Sequence, residues 1–222
     1  MAAAPTSMPT VAPARPAVSQ RPPLESGMRL TSVEFERRYE LYPEIRRAEL
    51  IEGVVYVSSP MRHELHGKPS LLVGAWLGAY IAQMEDTVDG GEGSTVRLDP
   101  DNNVQPDAFL RRPEGASRLT EDGYLAGPVE LVVEVAASSV SADMGPKRNA
   151  YRRNGVLEYI VWQIYENKLD WFWLTPDGDY ESLLPDDRGV IESRVFPGLR
   201  LLVPALLARD FAAVLAEQNA SG

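Results

Sequence analysis

Apolar positions along the chain follow two periods, and their succession predicts a mixed α/β fold. Thr31-Ser32-Val33-Glu34 reads as a capping box that opens a short helix over residues 32–39. Glu49-Leu50-Ile51-Glu52-Gly53-Val54-Val55-Tyr56-Val57 reads as a hairpin, with β-formers on both sides of a Glu52-Gly53 turn. After Ser59-Pro60, apolar residues such as Leu72, Trp76, Leu77 and Tyr80 recur at helical spacing. They predict the longest helix, about 62–84, with Pro69 interrupting its first turns. Gly90-Gly91-Glu92-Gly93 breaks the chain, and strands are expected over 95–98 and 104–110 on either side of an Asp99-Pro100-Asp101-Asn102-Asn103 turn. Leu131 to Ala136 is an almost unbroken β-branched run, the mark of a central strand buried on both faces. Pro146 suits the first turn of a helix over about 143–154, and Asn154-Gly155 ends it. Strands follow over 158–164, 169–174 and 180–184, then an irregular stretch, then a closing amphipathic helix over 204–217. This order implies an α/β protein with one mixed central β-sheet flanked by helices.

Composition sets the boundaries of that picture. Residues 1–27 are rich in Ala, Pro and Ser and poor in large apolar side chains. They lack the surface to offset their ordering entropy, so a disordered tail is expected there and a single domain over 28–218. The chain of 222 residues has no cysteine, which excludes disulfides, thiolate zinc sites and a cysteine nucleophile. That usage fits a reducing compartment, and a cytoplasmic location is expected. No apolar run approaches the roughly 18 residues of a membrane span, and the N-terminus lacks the pattern of a secretory signal. The formal charge of −10 counts against a broad grip on a polyanion. Basic pairs at Arg37-Arg38, Arg46-Arg47, Arg111-Arg112, Lys147-Arg148 and Arg152-Arg153 leave room for a local one.

The candidate chemistry lies between Val104 and Tyr159. Asp107 follows Pro106 among apolar neighbours, where it is either a solvated strand-edge acid or a functional one. Glu134 stands inside the apolar run and requires a partner, a metal or a raised pKa; a metal ligand is the favoured reading over a buried ion pair. Two such carboxylates can hold Mg²⁺, or Mn²⁺, through oxygen. Lys147 opens the helix that must pack back on that strand, and read alone it is a solvated first-turn lysine. Asp143 reads as a cap of the same helix. Glu49 is either a third metal-side acid or an exposed strand residue. His63 and His66, the only histidines, lack a third zinc ligand nearby. Trp171-Phe172-Trp173 reads as core, or as a stacking surface for bases. The chain has no Gly-x-Ser-x-Gly, P-loop or Gly-x-Gly-x-x-Gly motif.

Taken in order, Ala48-Glu49-Leu50-Ile51-Glu52-Gly53, Ser59-Pro60 with His63, Val104-Gln105-Pro106-Asp107, Glu130 to Val135, Lys147 to Tyr151 and Gly155 to Tyr159 resemble the Uma-two family. Its members are restriction-endonuclease-like proteins of the PD-(D/E)xK nuclease superfamily, and the resemblance covers about 28–217. It implies that Asp107 and Glu134 bind metal, that Glu49 is an accessory ligand, and that the catalytic lysine lies on the following helix as Lys147. The superfamily's own lysine position falls at Ala136, which cannot act. The implied activity is Mg²⁺-dependent hydrolysis of DNA, by a homodimer if both strands are cut. The alternative is a nuclease fold kept as a catalytically degenerate binding or regulatory module, which the acidic balance and Ala136 favour slightly.

Overall fold

The computed structural model describes residues 21–220. The elements run α1 (Ser32–Tyr39), β1 (Ala48–Ile51), β2 (Val54–Val57), α2 (Lys68–Ile81), β3 (Asp89–Gly91), β4 (Val96–Asp99), β5 (Asn102–Val104), β6 (Ala108–Arg111), β7 (Arg118–Leu119) and β8 (Leu125–Ala126). They continue β9 (Leu131–Ala136), α3 (Val140–Ala142), α4 (Arg148–Asn154), β10 (Glu158–Gln163), β11 (Lys168–Leu174), β12 (Tyr180–Ser182), β13 (Val190–Glu192), β14 (Arg200–Leu202), α5 (Val203–Leu207) and α6 (Phe211–Asn219). Single π-helical turns, His63–Gly67 and Asp143–Lys147, lead into α2 and α4.

The α/β class holds, but the strands divide between two six-stranded mixed sheets and a small hairpin rather than one sheet. The first sheet has the order β2-β1-β5-β4-β8-β7 and the second β12-β11-β10-β9-β6-β3, with β13-β14 apart. The division happens inside the strand expected over 104–110. Pro106 has no N–H to give a ladder, and at Gln105-Pro106-Asp107 the chain leaves β5 in the first sheet and enters β6 in the second.

Strand β9 shows how the second sheet is read from both sides. Leu131, Val133 and Val135 pack in the core beneath α2 and α6. Val132 and Ala136 face the core shared with the first sheet and α4. Side chains alternate across a strand, so Glu134 is directed to the second of these faces. β9 and β10 are parallel in register, Glu134 opposite Val161. Parallel neighbours require a crossover, and α3, the π turn and α4 supply it over that same face.

Several boundaries differ from the pattern of apolar residues for local reasons. The first helix and the hairpin fall where expected. Thr31 Oγ1 accepts from Glu34 N, and Glu52 and Gly53 both take positive φ (54° and 70°), as a two-residue turn requires. The long helix begins only at Lys68, with Pro69 in its first turn. The closing helix is two helices, broken at Arg209 (φ 57°) and restarted by Asp210, whose carboxylate accepts from Ala213 N. Strands β13 and β14 went unforeseen because three-residue strands carry too little alternation to be seen.

The part of the expected tail over 1–20 lies outside the described residues. Within 21–27 the chain is packed: Leu24 is buried beside Phe35 and Val55, and Gly27 N donates to Val55 O at 2.8 Å. No helix among the described residues is long and apolar enough to cross a membrane.

Gly90 pairs with Leu110, and an added Cβ there would lie 2.7 Å from the Phe109 carbonyl oxygen and 3.0 Å from Ile81. Backbone cannot yield cheaply at that distance. Gly90→Ala is expected to lower unfolding free energy by about 1–3 kcal/mol, read from urea midpoints. An unchanged midpoint would mean that β3 is not held this tightly against β6.

Candidate active site

The two sheets meet at Asp107, and the groups expected to carry chemistry gather there. Asp107 lies in the crossing between β5 and β6. The ladder between β6 and β9 stops at Ala108 opposite Val133, and Asp107 Oδ2 then accepts from Val135 N at 2.7 Å. Asp107 Oδ1 receives Arg47 Nη1 at 2.5 Å and His66 Nε2 at 3.2 Å. Arg47 Nη2 also donates to the Gln105 carbonyl and lies 3.8 Å from Glu134 Oε2. A second group of contacts surrounds Glu134 Oε1, which accepts from Tyr151 Oη and Lys147 Nζ, both at 2.9 Å. Lys147 Nζ also lies 2.8 Å from Glu49 Oε1, and Asp143 Oδ1 stands 3.8 Å off. Glu49 Oε1 in turn accepts from Gln105 N at 2.7 Å.

Each placement follows from the local chain. Lys147 and Tyr151 are four residues apart and so share a helix face, which the crossover lays over Glu134. Arg47 and Glu49 are two apart at the start of β1 and share a strand face. His66 and Ser70 are four apart across the π turn and α2. The Ser70 hydroxyl lies 3.0 Å from His66 Nδ1, and it donates there when Nε2 carries the proton toward Asp107.

Asp107, Glu134 and Lys147, predicted from three distant segments, come together. Glu49 joins them from the lysine side, its oxygens turned to Lys147 and Gln105 N. Among the described residues, no three His, Asp or Glu side chains are grouped so that they could hold a metal ion. Asp143 does not cap its helix but contributes to the acidic surroundings of Lys147. Sequence reasoning missed Arg47 as a site residue and gave His66 no role beyond weak zinc ligation. The alternation with Glu49 was the one available signal for Arg47.

Burial separates the charged groups into two depths. The side chains of Lys147, Glu134 and Asp107 are 2%, 3% and 5% exposed, whereas those of Arg47 and His66 are 17% and 19% exposed. Burial pushes the Glu134 carboxyl up to about 8, and Asp107, Asp143 and Glu49 add to the effect against the pull of Lys147. Burial works in the same direction on Asp107. There the His66 hydrogen bond and the Arg47 guanidinium outweigh it and hold the carboxyl well below its usual range. Burial also opposes the charge on Lys147, yet Glu134, Glu49 and Asp143 keep the ammonium firmly protonated. Four carboxylates thus face Arg47 and Lys147, and the excess of acid falls on Glu134. Carboxylate oxygens are the donors a hard divalent cation takes, and those of Asp107 and Glu134 are at present engaged by Arg47, His66, Tyr151 and Lys147. Asp107 and Glu134 offer oxygens on either side of a position that a guanidinium already favours, and added positive charge would relieve the carboxyl held protonated.

A mixed α/β fold whose acids and lysine converge between two sheets is nuclease-like. The protein is similar in fold to a crystal structure titled a "putative nuclease belonging to DUF820" from Anabaena variabilis. The TM-score is 0.57 at 14% identity, over 78% of this chain and 97% of that one. The model of the Uma2 family, described as "Putative restriction endonuclease", matches residues 33–204, and the chain belongs to that family. No curated protein matches it. Family and fold together indicate a nuclease.

The raised Glu134 carboxyl has a thermodynamic consequence. Its folded pKa lies above its ordinary value of 4.5. The stability tied to its protonated form is therefore complete below 4.5 and lost as pH rises through about 8. Asp143, also raised chiefly by burial, adds to the slope. Asp107, held low, acts only in a separate acidic window. In EDTA the urea midpoint should fall from pH 5 to pH 8, and Glu134→Gln should flatten that fall. A full slope retained in the variant would assign the titration elsewhere.

Proposed function

We propose that the protein is a Mg²⁺-dependent endonuclease, also served by Mn²⁺, that hydrolyses phosphodiester bonds of DNA. The observation that carries this reading is the convergence of Asp107, in the crossing between the sheets, and Glu134, in β9, beside a buried lysine in a chain of this family. Asp107 and Glu134 would hold the ion, with a backbone carbonyl near Val135 assisting and Glu49 as accessory acid. A bound ion would supply polarisation of a phosphoryl oxygen and a lowered pKa of water. Lys147 would orient the attacking water. Its neighbours keep Nζ protonated, so it acts as a hydrogen-bond donor and fixed charge rather than as a base. Tyr151 and Lys147 fix the rotamer of Glu134 from beneath, and Val135 N fixes that of Asp107. Cutting both strands of a duplex calls for two such sites, and a homodimer provides them.

A second reading, a nuclease fold retained as a binding or regulatory module, draws on the cations that already neutralise the two acids and on Ala136 at the motif's lysine position. The two readings part on catalysis. Purified protein incubated with plasmid or single-stranded DNA should cut in Mn²⁺ or Mg²⁺ and not in EDTA. Asp107→Ala and Lys147→Ala should each lose about a hundredfold or more. Cutting lost only in Asp107→Ala would remove the role of Lys147. Cutting retained in Asp107→Ala would remove the site. A wild type that cuts neither substrate would favour the module.

A further inference from the structure

Arg47 holds a position that no other cation of the site shares. Its guanidinium touches Asp107, reaches to within 3.8 Å of Glu134 and is anchored on the Gln105 carbonyl, so it bridges the two acids. It is also partly open to solvent, its side chain 17% exposed where that of Lys147 is 2% exposed. Lys147 is enclosed by Glu49, Glu134 and Asp143, and a phosphate arriving from solvent would not reach it without displacing carboxylates. The guanidinium is not fully used either, because Arg47 Nε is buried with no hydrogen-bond partner. Arginine presents a planar fork that matches phosphate oxygens as well as carboxylate ones.

One or both members of three of the basic pairs are engaged by local acids. Arg37 and Arg38 bind Glu34, Arg111 binds Asp89, and Arg153 binds Glu52. In a chain of net charge −10, attraction for a phosphodiester calls for cations at the site itself.

We propose that Arg47 is an exchangeable counter-cation of this site and its phosphate contact. It lies on Asp107 until a divalent ion takes the two acids, then gives way and offers its guanidinium to the phosphodiester. The inference rests on the metal-site reading above. Two consequences run in opposite directions. Removing the guanidinium removes a competitor for the acids, so metal binding tightens. The same change removes a phosphate ligand, so nucleic-acid binding weakens. A merely structural arginine would weaken both or neither.

The test is a Mn²⁺ titration of the full chain, with free ion counted by electron paramagnetic resonance, on wild type, Arg47→Met and Arg47→Lys. It is paired with the affinity of a short DNA oligonucleotide in Ca²⁺. Arg47→Met should bind Mn²⁺ about tenfold or more tightly and the oligonucleotide about tenfold or more weakly. Arg47→Lys keeps the charge without the fork and should fall between, and it carries the test if the methionine variant does not fold. Equal or weaker Mn²⁺ binding by the variants overturns the inference while leaving the metal site standing. Tighter Mn²⁺ binding with unchanged oligonucleotide affinity overturns the phosphate contact. Binding of Mn²⁺ by no variant and not by wild type overturns the inference together with the metal-site reading.

Discussion

A carboxylate in the middle of a buried strand must be compensated by something brought to it, and Glu134 imposes that requirement on the surrounding structure. It stands in β9 between Val133 and Val135, and its alternation with them turns it toward the face where the first sheet and the crossover helix pack. Leaving such a group unpaired in an apolar interior costs several kcal/mol. The crossover answers with Lys147 and Tyr151, one helical turn apart, both bonded to the same carboxylate oxygen. Lys147 is itself a buried charge and needs Glu49 and Asp143. Glu49 is then fixed by the Gln105 amide. The compensation therefore passes from one sheet, through the crossover, to the other sheet, and the site is the place where that chain of requirements closes.

The same closure explains why the strand at Asp107 had to break. Past Ala108 opposite Val133, β9 still presents the Val135 amide on the side that β6 has left. A buried amide left without an acceptor is costly. The Asp107 side chain supplies the acceptor while the backbone, freed by Pro106, passes into the first sheet. One residue thus terminates a ladder and keeps its other oxygen for a cation. Continuous pairing through 105–107 would have satisfied the amide with backbone and left no carboxylate at the junction.

How much of this was legible in the sequence depended on distance. Glu134 was legible because an acid within an apolar run needs a partner, although the buried ion pair that Lys147 supplies ranked below a metal ligand, and Asp107 because it followed a proline among apolar neighbours. Lys147 was given its role through resemblance, since a lysine at the start of a helix is ordinarily solvated even where that helix must pack back on the strand. Arg47 and His66 were not recognised as site residues. Their partner, Asp107, lies 60 residues from Arg47, and no period in the sequence encodes a contact of that span. The two sheets were hidden for a related reason. The stretch from Val104 to Leu110 has the length of one strand, and only the tertiary pairing reveals that its halves belong to different sheets.

The charge of the chain takes on a different meaning once the partners are known. An excess of acid usually argues against a polyanionic substrate, because the summed field repels it. Fields between exposed charges fade beyond a Debye length of about 8 Å in physiological salt. What a phosphodiester meets at the site is governed by groups within that distance. There the balance is set by buried acids that demand positive charge and by one partly exposed arginine that already supplies part of it. A cluster with too many carboxylates repels a phosphate when it stands alone and attracts one when it is filled by a divalent ion. An acidic protein can therefore carry a phosphate-handling site, provided the cation is recruited by the site rather than spread over the surface.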